Sequence, residues 1–148
     1  MPSEEEETFR RLAVELRILE GTGEALQNRI GMVNAALTEL TVASATLEGL
    51  EKEKEKAPLF VPIGGGSYVK AKLETADTII IGVGAGVAIE KTIKEAKENL
   101  ETRITELDKT RTTLQQQLVQ VIEKIREDRS KLEEVTAKLS QRERTQSV

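Results

Sequence analysis

Apolar residues recur at alternating spacings of three and four along the first third of the chain. Phe9, Leu16, Ile30 and Leu37 form one row, and Leu12, Leu19, Leu26, Val33, Leu40 and Leu47 form the other. Two such rows keep a seven-residue repeat over about six heptads, which predicts a coiled-coil helix over about residues 3–56. Ser3 supplies a capping hydroxyl, and Glu4 to Glu7 face the positive end of the helix dipole. Gly23 and Ser44 fall on the first row and weaken it locally. Gly21 and Gly23 each cost about 1 kcal/mol relative to alanine, so a soft point or bend is expected there. The alternating run Glu51 to Lys56 reads as a solvated last turn. Ala57-Pro58 then ends the helix, because a residue before proline avoids helical dihedrals.

The same spacing returns near the other end. Leu100, Ile104, Leu107, Leu114, Leu118, Val121, Ile125, Leu132, Val135 and Leu139 form a second seam, interrupted by Arg111 and Asp128. It predicts a helix over about residues 88–141, with Ile89, Ile93 and Ala96 in a shifted register that implies a stutter before Leu100. Each helical part spans about 75 Å at 1.5 Å per residue. Equal lengths around a compact middle predict an antiparallel hairpin, although helices pairing with other chains have the same periodicity.

The middle, about residues 59–87, changes period. Leu59-Phe60-Val61 is strand-like, Pro62 to Gly66 turns, and Ser67 to Leu73 alternates, with Lys70 and Lys72 on one face and Val69, Ala71 and Leu73 on the other. Thr78 to Val83 is the most apolar strand, Gly84-Ala85-Gly86 turns, and Val87 to Ile89 leads out. Four short strands as two consecutive hairpins follow from this pattern. The whole, residues 1–148, reads as a single α+β domain that is predominantly α. Two hairpins cannot close a core alone. They leave unpaired edges and an apolar face on Ile79, Ile81 and Val83, which assembly with strands of other subunits into a β-barrel would cover.

Composition sharpens this picture. Aromatic residues make up 2% of the 148, and charged residues 32%, so the chain buries a thin seam rather than a broad core. A net charge of −4, from 22 basic and 26 acidic residues, gives no reason to expect nucleic acid. With no cysteine and no histidine, disulfides and thiolate or imidazole metal sites are excluded. The longest apolar run, Ile79 to Ile89, is about half the ~20 residues of a spanning helix, and the acidic N-terminus is unlike a signal peptide. A protein of the cytoplasm, with no membrane partner, is expected.

The stretch Ile79 to Lys91 invites comparison with nucleotide-binding loops. Its spacing is G-x-G-x-G, not G-x-G-x-x-G, and the helix after it leads to no second parallel strand. Gly84 and Gly86 are read as turn residues that adopt positive φ. Carboxylates lie on exposed helix faces, and no serine or threonine has a candidate base, so neither enzyme activity nor a cofactor is expected.

Two stretches resemble the prefoldin alpha subunit, in its archaeal form: Val61-Pro62-Ile63-Gly64-Gly65-Gly66-Ser67-Tyr68-Val69-Lys70, and Ile81-Gly82-Val83-Gly84-Ala85-Gly86-Val87-Ala88-Ile89-Glu90-Lys91. The flanking heptads match in kind, while Gly64-Gly65-Gly66 departs from the family's less glycine-rich first turn. The resemblance implies a hexamer of two alpha-type and four beta-type subunits, with two hairpins per alpha-type chain against one per beta-type chain. Phe60, Val61, Val69, Leu73, Ile79, Ile81 and Val83 are then the assembly residues. It also implies an ATP-independent holdase that grips non-native proteins at coiled-coil tips and passes them to a group II chaperonin. Frayed helix ends would offer Phe9, Leu12 and Leu16 beside Leu132, Val135 and Leu139 to a client. A structural relative that self-assembles into filaments through the same hairpins is the alternative.

Overall fold

A computed structural model describes residues 1–75 and 77–147. In chain order it contains helix α1 (Glu4–Glu51), strands β1 (Pro58–Gly64), β2 (Ser67–Lys72), β3 (Thr78–Gly84) and β4 (Val87–Thr92), and helix α2 (Ile93–Gln146). Two compact units are distinguished: Met1–Asn34 with Lys109–Val148, and Ala35–Asp108.

Each helix starts on a hydroxyl cap with a glutamate three residues on. The Ser3 backbone N–H donates to Glu6 Oε2 and the Glu6 N–H donates to Ser3 Oγ, each at 3.3 Å. At α2 the Glu95 N–H donates to Thr92 Oγ1 at 3.2 Å, and the Thr92 hydroxyl donates to Glu95 Oε1 at 3.1 Å. The Ser3, Glu6 and Glu95 N–H groups, which a helix start leaves without partners, are thereby satisfied, while the Thr92–Glu95 hydroxyl bond joins two side chains. The second box corrects a boundary: α2 begins at Ile93, not near residue 88, and Ile89 belongs to β4. Ile93, Ala96 and Leu100 are all buried. Their spacing of three and four, followed by four to Ile104, is the stutter expected before the regular heptads. At its other end α1 stops at Glu51 and the chain turns, with the Ala57 N–H donating to the Lys54 carbonyl at 3.1 Å and Lys56 at φ 63.

In the first unit the helical segments run antiparallel. Arg142 pairs with Glu5 at 3.2 Å near one end, and Arg111 Nη1 lies 3.4 Å from Asn34 Oδ1 near the other. Leu12, Leu16, Leu26 and Leu114 are buried along the seam. Gly23 sits in it as well: a β-carbon there would meet Val121 Cγ1 at 3.6 Å.

In the second unit the hairpins are two copies of one design. β1 pairs with β2 and β3 with β4, each antiparallel, as two separate two-stranded sheets. Pro58↔Lys72 becomes Thr78↔Thr92, and Gly64↔Ser67 becomes Gly84↔Val87, so every pair recurs after a shift of twenty residues. The turns repeat as well: Gly64, Gly65 and Gly66 take φ of 104, 58 and 74, and Gly84, Ala85 and Gly86 take 105, 52 and 74. Beyond the strands, Leu73 N–H donates to the Ala57 carbonyl at 2.9 Å and Ile93 N–H to the Asp77 carbonyl at 3.3 Å, again twenty apart. The glycine-rich stretch therefore closes a hairpin, and a strand rather than a helix follows it. What distinguishes the copies is docking. Ile81 packs in a buried cluster with Leu47, Ala96 and Leu100, edged by Leu40, Ala43 and Ile79.

Candidate functional site

The hairpins carry the larger candidate surface. Residues paired across an antiparallel ladder share a face. In the first hairpin Leu59, Val61, Val69 and Ala71 share one face, and Pro58, Phe60, Pro62, Tyr68, Lys70 and Lys72 share the other. Leu59 and Ala71 are half-buried, whereas Val61, Val69, Tyr68 and Ile63 are exposed and Phe60 is 70% exposed. An open depression of about 530 Å³ lies over Phe60 and the side chains of Lys70 and Lys72. In the second hairpin Ile79 is half-buried and Ile81 is only 7% exposed, whereas Ile80 is 75% exposed and Val83, Val87 and Ile89 are open.

Three of the seven expected assembly residues are therefore placed differently from the expectation. Ile79 and Ile81 face this chain's own helices, and Leu73 is half-buried where the first hairpin closes on Ala57. Phe60, Val61, Val69 and Val83 are exposed, and so are Ile80, Ile63 and Tyr68, which the sequence reading left out. The signal for Ile80 was available: three successive isoleucines in a strand place apolar groups on both faces, so whichever face docks, the other stays apolar.

The second candidate surface lies at the open ends of the helices. Phe9 is 37% exposed, while Leu12 is 2% exposed and Leu16 is buried. Leu132, Val135 and Leu139 are half-buried. The two rows thus close on each other in this state, with Phe9 at the edge.

Between these residues and the middle of the pair stands the Asp128 cluster. Asp128 is wholly buried, at 0% exposed, on the seam. The polar contact of its carboxylate is an ion pair with the Lys124 ammonium, 3.2 Å from Oδ1. Lys124 also lies 3.6 Å from Glu15 and 3.9 Å from Glu127. Contact with Asp128 chiefly, then the charges of Glu15 and Glu127, raises the Lys124 pKa above its ordinary 10.5. Next to Asp128, Arg129 pairs with Glu20 at 2.9 Å.

Among the described residues no group of histidine, cysteine, aspartate and glutamate is arranged to hold a metal. One expectation is amended. Uninterrupted apolar runs are short, but α1 as an element is long enough to span a membrane, and an 18-residue window of it reaches a mean hydropathy of 1.3. The cause is a leucine-rich seam backed by an outer side that exposes Val14, Ile18, Met32 and Val42.

Comparison with known proteins places these features. The profile of the family described as Prefoldin subunit matches residues 19–142. The prefoldin subunit alpha of Pyrococcus horikoshii is 35% identical over 131 residues, 88% of each chain. That of Methanococcoides burtonii is 34% identical over 121 residues, covering 82% of this chain and 88% of its own. Among solved structures, filamentous PFD from Methanocaldococcus jannaschii, determined by cryo-EM, superposes with a TM-score of 0.66 at 28% identity, over 78% of this chain and 95% of that one. Two long helices with two small strand pairs between them, a profile covering most of the chain and alpha-subunit relatives at this identity lead to one conclusion: the chain belongs to the prefoldin family and is of the alpha type.

Proposed function

We propose that the chain is the alpha-type subunit of an ATP-independent holdase in the cytoplasm. Two copies assemble with four beta-type subunits, hold non-native proteins at the helix ends and release them to a group II chaperonin. The observation that carries the reading is the doubled hairpin, each copy presenting a large apolar residue, Phe60 or Ile80, to solvent at the same register position. Such strand edges and faces are templates for pairing with other chains. No residue of the chain takes a catalytic role in this reading. The tips supply the grip: many weak apolar contacts, each worth about 25 cal/mol per Å² buried.

The test shortens the arms. Removing residues 1–12 and 136–148 takes away Phe9, Leu12 and Leu139 and spares every strand. With every arm of a correctly sized complex shortened in this way, suppression of light scattering by an unfolded client should be lost. Full suppression by that complex would place the grip elsewhere. A second reading, a self-assembling filament, draws on the structural neighbour, which is itself filamentous. Size-exclusion chromatography with light scattering separates the two: polydisperse growth by this chain alone favours the filament, and a defined hexamer that forms only with a second subunit favours the holdase.

A further inference from the structure

Two defects of different origin occupy one short stretch of the paired helices. On α2, Asp128 is a wholly buried carboxylate whose one polar contact is the Lys124 ammonium of its own helix, 3.2 Å away. Taking an ion out of water is repaid only by good geometry and by further hydrogen bonds on its remaining lone pairs. Here one contact with Lys124, at 3.2 Å, is the return, and separating the helices rehydrates both oxygens. On α1, Gly21 and Gly23 loosen the backbone, and Gly23 puts no side chain into the seam opposite Val121. The defects lie within about two turns of each other: Gly23 faces Val121, seven residues before Asp128, and Glu20, next to Gly21, pairs with Arg129, next to Asp128. That ion pair is solvent-exposed on both sides and adds little to closure. Leu16 closes the seam within this stretch, beside Glu15, and beyond it the seam is apolar again at Leu12.

We propose that Asp128, with Gly21 and Gly23, forms an opening joint in the coiled coil. Beyond it the helix ends separate as one unit while the rest of the pair stays closed, uncovering Leu12, Leu16, Leu132, Val135 and Leu139. Local opening of this kind is drawn from the least stable parts of a fold. The inference rests on the tip reading above for its purpose, but not for its existence. It explains how residues that grip a client can be buried in the closed chain.

Hydrogen exchange of the full-length chain, in the assembly it forms, tests the joint without any client. In Asp128→Leu the amides of residues 5–19 and 130–140 should exchange at least tenfold more slowly, with those of residues 24–40 unchanged. Gly21→Ala with Gly23→Ala should slow the same amides by a route that leaves Asp128 in place. Unchanged distal exchange in both variants, or equal slowing along the whole of α1, overturns the joint. Client capture supplies the second arm. A slow-exchanging Asp128→Leu complex of normal size should suppress aggregation less well. Full suppression by it overturns the joint's role in capture. Should the unmodified complex capture no client, the holdase reading falls, and the exchange comparison still decides the joint.

Discussion

Gly86 adopts φ 74, and nothing stands within 4 Å of where a β-carbon would be added. Space is therefore not what requires glycine there. The backbone conformation is, because a left-handed residue with a β-carbon meets its own following carbonyl oxygen, at about 1–2 kcal/mol. Replacing Gly86 by alanine should lower the stability of the chain by about that amount, read from the denaturant midpoint at unchanged slope. Ala85, at φ 52, already bears this strain where the first hairpin has Gly65 at φ 58. Asp128 is buried on the seam, with the Lys124 ammonium 3.2 Å away. Its place in the seam was visible as an interruption of the heptads. That it is buried rather than turned outward was not, because spacing marks a position and says nothing of what a carboxylate meets there.

Among the elements, the helices and the existence of two hairpins were legible because period 3.5 and period 2 are both strong signals over these lengths. The start of α2 was not. Ile89, Ile93 and Ala96 are spaced four and three apart, as a helix seam would be, yet Ile89 ends on a strand. The decisive local signal was Thr92-Ile93-Lys94-Glu95, a capping-box sequence whose two hydrogen bonds fix the first turn. The direction in which the second hairpin faces was also illegible. Alternation says that Ile79 and Ile81 share a face, but only the small Ala96 beside Leu47 and Leu100 makes room for it on the helices. An aspartate at Ile81 would be buried there without a partner, costing several kcal/mol. Ile81→Asp should therefore lower the melting temperature of the chain itself and raise amide exchange in β3 and β4. Unchanged exchange there would remove Ile81 from the docking cluster.

On the scale of the whole molecule, the exposed positions matter more than the buried ones. Phe60 and Ile80 occupy corresponding places in the two hairpins, 70% and 75% exposed. Aspartates at both should leave the melting of the separate chain within about 0.5 kcal/mol, as surface substitutions do, while assembly is lost. Light scattering reads the second effect and calorimetry the first. A stable oligomer from the doubly substituted chain would mean that other edges hold the subunits together.

In the proposed assembly the twenty-residue repeat gives the chain a valence of two, since both hairpins have the same register and turn and both are on one polypeptide. A bivalent unit grows by addition and stops only when its ends are capped, whereas a unit with one end can only cap. Whether such a chain yields a closed particle or an open polymer is then a question of supply, set by the ratio of bivalent to monovalent partners. Spoiling one hairpin turns the chain from a link into a terminator, and spoiling both removes it from the polymerisation.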